Sequence, residues 1–122
     1  MASGHTIAIT PSNLHVEVTL DGEKLAVSDR PVLLDETGLP TRYYLPKEDV
    51  RTELLQPTDH STHCPFKGDA SYWSAQVGDE THENLVWSYE TPITQAEGIT
   101  GLMSFWPGRV EVIVNGKRLP DA

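Results

Sequence analysis

Two stretches of this chain alternate apolar and polar residues and then run into a two-residue turn signal. In LHVEVTL, Leu14, Val16, Val18 and Leu20 fall on one face, and His15, Glu17 and Thr19 on the other. In RVEVIV, Val110, Val112 and Val114 oppose Arg109 and Glu111. A period of two is what a half-buried strand requires, because successive side chains point to opposite sides of the sheet. The pairs that follow, Asp21-Gly22 and Asn115-Gly116, readily take positive φ at both centres of a type I′ hairpin turn. The chain is thereby committed to antiparallel β-structure at both ends. The strings VEVTLDGEKL (16–25) and VEVIVNGKRL (110–119) align without a gap. Shared turn chemistry accounts for the likeness, and an internal duplication is the alternative.

Further strands are expected over 5–10, 30–35, 41–45, 70–77, 84–90 and 101–106. One short α-helix is expected near residues 47–55. In PKEDVRTELL, Pro46 suits a helix start, Glu48 and Asp49 occupy the first turn, and Val50, Leu54 and Leu55 form an apolar stripe that Pro57 ends. A weaker helical turn is expected around TQAE, ended by Gly98. Prolines and glycines punctuate the chain, and no stretch reads as a linker. The reading is one mainly β domain over residues 1–122.

The only cysteine is Cys64, so neither an intramolecular disulfide nor a Cys-x-x-Cys metal or redox motif is available, and apolar burial must hold the core. Eighteen acidic residues against nine basic ones give a formal charge of −9, which opposes a grip on phosphate backbones and argues against a nucleic-acid partner. No basic amphipathic helix, membrane span or basic leader followed by an apolar run is visible, so no membrane partner and a cytoplasmic location are expected.

Aromatic residues concentrate on two expected strands. If 70–77 and 84–90 form a hairpin across GDETHE, with Val77 opposite Leu85 or one step away, Trp73, Trp87 and Tyr89 share a face. They would form either core or the wall of a pocket.

The strings RPVLLDETGLPTRYYLPKEDV, THCPFKGDASYW, VWSYETP and GLMSFWPGRVEV, in this order and over about residues 14–114, resemble the domain of unknown function 427 family. The resemblance implies a single, strongly bent β-sheet domain of the Mss4-like (β-tent) type. The cysteine pairs that bind zinc on that architecture are missing. The family has also carried a nucleotidyltransferase label, but no Gly-Ser turn followed by a closely spaced carboxylate pair for two metal ions is present.

The string HSTHCPFKGDAS (60–71) admits four readings. As a metal site it offers His60, His63 and Cys64, but neighbours on a strand point apart, so no metal is expected. His82 or His15 would join only through a tertiary approach. As a nucleophile, Cys64 would sit beside His63 with Lys67 lowering its pKa, although no second cysteine could resolve an oxidised thiol. As a turn, Pro65 and Gly68 suit a tight reversal. As a pocket rim, Lys67 and Arg51 supply positive charge, Trp73, Trp87 and Tyr89 supply flat walls, and Thr62, Cys64 and Tyr72 line the approach. For Arg51 the competing fate is an ion pair with Glu48, Glu53 or Glu90. The expected function is binding of a small polar or anionic ligand, without a cofactor. The alternatives are an enzyme using Cys64, His63 or Lys67 in the same pocket, and a protein interaction module.

Overall fold

The computed structural model describes residues 5–120; residues 1–4 and 121–122 of the expected domain lie outside them. Among the described residues, eleven strands form three antiparallel sheets. The first sheet runs β1 (Ile7–Pro11), β4 (Val32–Glu36), β5 (Arg42–Tyr44). The second runs β11 (Lys117–Arg118), β10 (Glu111–Val114), β2 (Val16–Leu20), β3 (Glu23–Ser28). The third, central to the molecule, runs β6 (Leu55–Cys64), β7 (Gly68–Val77), β8 (Glu80–Ser88), β9 (Met103–Phe105). No helix among the described residues is long and apolar enough to cross a membrane.

Both anticipated hairpins form as their turn residues dictate. Asp21 and Gly22 have φ of 51° and 80°, and Asn115 and Gly116 have 49° and 82°, positive at both centres as a type I′ turn needs. The two hairpins lie side by side, because β10 pairs with β2 with Val112 opposite Val18. Their alternating valines enter one core with Leu25, Leu85, Val86 and Phe105, all under 5% exposed. Each such side chain contributes roughly 1.5–3 kcal/mol by leaving water.

The central sheet is covered on both faces. One face meets the β2–β3–β10 sheet through this first, largely aliphatic core. The other meets β4 and β5 through a second core of Leu34, Tyr44, Ala70, Tyr72, Trp87 and Tyr89, with Ala96 and Ile99 of the 310 turn Thr94–Ile99. Leu45 and Met103 exchange backbone hydrogen bonds of 2.8 Å in each direction, tying the β5 end to β9. The TQAE turn forms as a 310 segment, kinked at Ala96 and running through Gly98 to Ile99 rather than ending at Gly98.

The α-helix expected over 47–55 is absent. In its place are two 310 turns, Lys47–Asp49 and Thr52–Leu54, separated by Val50 in extended conformation. Val50 pairs with Ala26, and the Arg51 N–H donates to the Leu25 carbonyl at 2.8 Å. A β-branched residue drawn into strand pairing outweighs the helix-start signals at Pro46, Glu48 and Asp49. The apolar stripe survives with a different purpose, since Val50 and Leu55 are buried in the first core and Leu54 packs on it. The segment from Leu55 to Cys64, outside the strands expected from the sequence, is a ten-residue strand paired with β7. The tight reversal is confined to Cys64–Gly68, where the Lys67 N–H donates to the Cys64 carbonyl at 3.1 Å.

Candidate functional site: an aromatic cavity with a buried ion pair

The β7–β8 turn is shorter than the hairpin drawn from the sequence. Val77 pairs with Glu80, and a bulge between Trp73 and Ala75 shifts the register, so that Tyr72 faces Trp87 and Trp73 faces Val86. Trp73 therefore projects to the face opposite Trp87 and packs half-buried on the first core, with Lys47 Nζ 5.6 Å from its ring centre. The expectation that Trp73, Trp87 and Tyr89 share one wall is corrected to Tyr72, Trp87 and Tyr89. A one-residue shift in a strand exchanges its faces.

On that second face lies a cavity of about 180 Å3. Leu34 and Glu36 of β4 line it, as do Leu39 and Pro40 of the following turn and Arg42 and Tyr44 of β5. Lys67, Tyr72, Trp87, Tyr89 and Trp106 close it. Residues two apart on a strand share a face, so the Leu34/Glu36 and Arg42/Tyr44 pairs are presented together. The enclosed space next to Val16, Val18, Tyr43 and Phe105 is only about 10 Å3, no more than a single water needs.

The aromatic walls are held by polar handles. Trp87 Nε1 donates to the Tyr44 hydroxyl at 3.0 Å, and the two rings meet edge to face at 6.3 Å. Trp106 packs tilted on Trp87 with centroids 4.3 Å apart, and the Arg42 guanidinium lies 5.6 Å from the Trp106 ring centre. The Tyr72 hydroxyl is 2.9 Å from Thr62 Oγ1, and the His60 ring packs tilted on Tyr72. These contacts fix each ring plane, which a preformed binding site requires.

The charged floor is a three-residue relay. Lys67 Nζ donates to Glu36 Oε1 at 2.7 Å, and His5 Nε2 lies 2.9 Å from Glu36 Oε2. The Lys67 and Glu36 side chains are only 12% and 7% exposed. Burial alone would raise the Glu36 pKa, but the hydrogen bonds and charge of Lys67, with His5 behind it, hold the carboxyl below its ordinary value. Phe66 stacks on His5 at 4.0 Å. The backbone fixes Lys67 from both sides: besides the turn bond at its N–H, its carbonyl accepts from the Ile93 N–H at 2.9 Å. Gly68 has φ of 114°, and a Cβ there would lie 3.3 Å from the Pro92–Ile93 backbone, so this close approach is reserved for glycine.

Two of the buried tyrosines, Tyr44 and Tyr89, hold their protons more tightly than a free phenol. Burial pushes Tyr44 up to about 12, with the Trp87 hydrogen bond partly opposing. Tyr89 is raised by burial and then by the neighbouring Tyr44, Cys64, Tyr72 and Glu36, and its ring lies 5.9 Å from Lys67 Nζ. Its hydroxyl makes no hydrogen bond among the described residues. The arrangement offers a ligand flat apolar walls, a tyrosine hydroxyl, two cations and one carboxylate.

Of the residues chosen from the sequence, Lys67, Tyr72, Trp87 and Tyr89 line this cavity. Thr62 supports it through Tyr72, and Cys64 packs against its core without lining it. His63 points away to an exposed pair with Asp69 at 2.7 Å, so adjacent His63 and Cys64 do face opposite ways. Arg51 is remote from the cavity and pairs with Glu23 at 2.6 Å and Glu53 at 2.9 Å. The competing ion-pair fate applies, with Glu53 among the partners named for it. Glu36, Arg42, Tyr44 and Trp106 were missed, although each lies inside one of the strings that carried the family resemblance.

Comparison with curated proteins gave no match. The family described as domain of unknown function (DUF427) matches residues 8–116 of this chain. Since that range spans nearly all of the described fold and its aromatic cavity, the chain belongs to the DUF427 family.

Proposed function

We propose that this domain binds a small planar polar molecule, with an anionic or hydrogen-bond-accepting edge, in the cavity beneath Trp87, Trp106 and Tyr89. The single observation that carries the reading is a cavity of about 180 Å3 walled by Tyr44, Tyr72, Trp87, Tyr89 and Trp106, with Glu36, Arg42 and Lys67 in its lining. The surrounding chemistry supports it. Arg42 and Lys67 bring positive charge to the lining beside Glu36 in a chain of charge −9, which favours an anionic edge on the ligand. The neutral Tyr89 hydroxyl adds a donor. A space of about 180 Å3 suits one ring with its substituents, being smaller than the roughly 300–1,000 Å3 of typical drug-sized sites. The Mss4-like (β-tent) assignment and a cytoplasmic location belong to the same reading.

Benzoate and its neutral isostere benzamide test it. Benzoate should raise the melting temperature and quench tryptophan fluorescence saturably, benzamide less so, and Tyr89→Phe should weaken both. Saturable binding that survives Trp87→Phe and Tyr89→Phe unchanged, or none for either compound, would count against the reading. An enzyme acting through Cys64 and His63 has less support, because those side chains lie on opposite faces. An interaction module has less support too: Val27, Leu39 and Phe66 are the large apolar residues most exposed, and Phe66 is stacked on His5.

A further inference from the structure

We infer that the tips of two hairpins, far from the aromatic cavity, together form a site for one divalent transition-metal cation, held by Asp21, Glu80 and His82. Asp21 is the first centre of the β2–β3 turn, and Glu80 and His82 open β8. The β-strand period places Glu80 and His82 on one face of β8, and the fold brings Asp21 to them from a different sheet. One donor atom from each residue, a carboxylate oxygen or an imidazole nitrogen, lies within 4.8 Å of the other two. This is the tertiary approach that His82 needs and that its sequence neighbours do not reveal.

Two further observations favour a cation. His82 Nε2 is buried and has no hydrogen-bond partner among the described residues, an arrangement a protein seldom leaves unanswered. Neither Asp21 nor Glu80 forms an ion pair among the described residues, whereas Glu17, Glu23, Glu36, Asp49 and Glu90 each hold a lysine, an arginine or a histidine directly. Two arginines line a concavity with Asp21: Arg109 gives its guanidinium to the carbonyls of Glu83 at 2.9 Å and Asn84 at 3.3 Å, and Arg118 lies 3.9 Å from Glu111. Two carboxylates brought together without a direct ion pair repel, and a cation between them reverses the sign of that interaction.

One imidazole and two carboxylates suit Zn2+, Mn2+ or a neighbouring first-row ion better than Ca2+, which prefers oxygen donors throughout. Donors on one tetrahedral zinc stand about 3.3 Å apart, given metal–ligand bonds of about 2.0–2.2 Å. Rotation of the exposed Asp21 and Glu80 side chains closes the remaining gap, and water completes the shell. Because the donors come from the second and third sheets, the ion would tie the two sheets together at their hairpin tips.

The test uses tag-free protein in a non-chelating buffer at neutral pH, titrated calorimetrically with Zn2+, and with Mn2+ followed by amide NMR. One equivalent of Zn2+ should bind. Asp21→Asn and Glu80→Gln should each weaken it at least tenfold, and His82→Gln should do likewise. His15→Asn and His63→Asn should leave it unchanged. Mn2+ should broaden the amides of residues 20–22 and 80–82 first. All variants are compared after their metal-free melting curves establish folding. Absence of stoichiometric binding, binding insensitive to Asp21→Asn and Glu80→Gln, or broadening centred on His15 or His63 would overturn the assignment.

Discussion

Trp73 and Trp87 sit on neighbouring strands of one sheet and have different fates. Trp73 closes the rim of an aliphatic core, where its neighbours are valines, leucines and the Lys47 ammonium. Trp87 is 5% exposed, donates a hydrogen bond to Tyr44, and forms the wall of a cavity with a buried ion pair at its floor. The two faces of the central sheet thus divide the work: one is packed for stability, and the other keeps open volume and polar atoms that packing alone would not select. A buried lysine–glutamate pair is often no more stabilising than an apolar pair of the same size, so stability alone does not account for its presence on the cavity face.

The division can be broken most forcefully on the packed face. Leu85 has no exposed surface, and Leu85→Ala should cost about 2–5 kcal/mol, read as a lower denaturation midpoint. Benzoate affinity should be unchanged when measured on the folded fraction. Equal loss of binding would show that the two faces are one energetic unit.

On the cavity face, Lys67→Met should cost less than the roughly 3–5 kcal/mol of a fully buried broken pair, because His5 still answers Glu36, and it should lower benzoate affinity. It also sharpens the comparison through pH. The folded Glu36 pKa is lowered, so its contribution is present above the ordinary carboxyl value of 4.5 and is lost as pH falls through the folded value. Acid unfolding of the wild type should carry this component below pH 4.5, and Lys67→Met should lose most of it. Trp87→Phe should cost about 1–3 kcal/mol for the hydrogen bond and lost area, and should reduce fluorescence quenching by benzoate. Trp73→Phe is predicted to leave benzoate affinity intact. The smallest effect belongs to Arg51→Met: its exposed ion pairs are screened by water, and neither the melting temperature nor binding should change measurably.

What the sequence discloses divides along the range of the interactions. The Asp21-Gly22 and Asn115-Gly116 turns are legible because two residues contain the whole conformational requirement. The β6 strand is not: LQPTDHSTHC has no alternation, and most of its residues are exposed, since its place is set by pairing with β7. The helix-start signals after Pro46 serve a 310 turn equally well, and only Ala26, distant in sequence, decides for extended Val50. The Trp73–Trp87 error has a similar origin, because a bulge beside Ser74 and a two-residue turn at Gly78-Asp79 fix a register that strand boundaries leave open. Lys67, Tyr72, Trp87 and Tyr89 were identifiable as residue types that build pockets. Glu36 and Arg42 were not, because only the approach of the first sheet to the third brings them there.

The long outer strand β6 has a consequence for how copies of this protein behave in a crowded solution. An unpartnered strand edge is a template on which another chain can add, the first step toward fibrils and insoluble aggregates. Here that edge carries Pro57, which lacks an N–H, a pairing irregularity between Pro57 and Ser61, and the charge of Asp59. Its exposed positions are nearly all polar. The features that hid β6 as a strand are the ones that make it a poor seed for strand addition, so replacing Pro57 and Asp59 with valine should promote precipitation on heating while leaving the monomer fold in place.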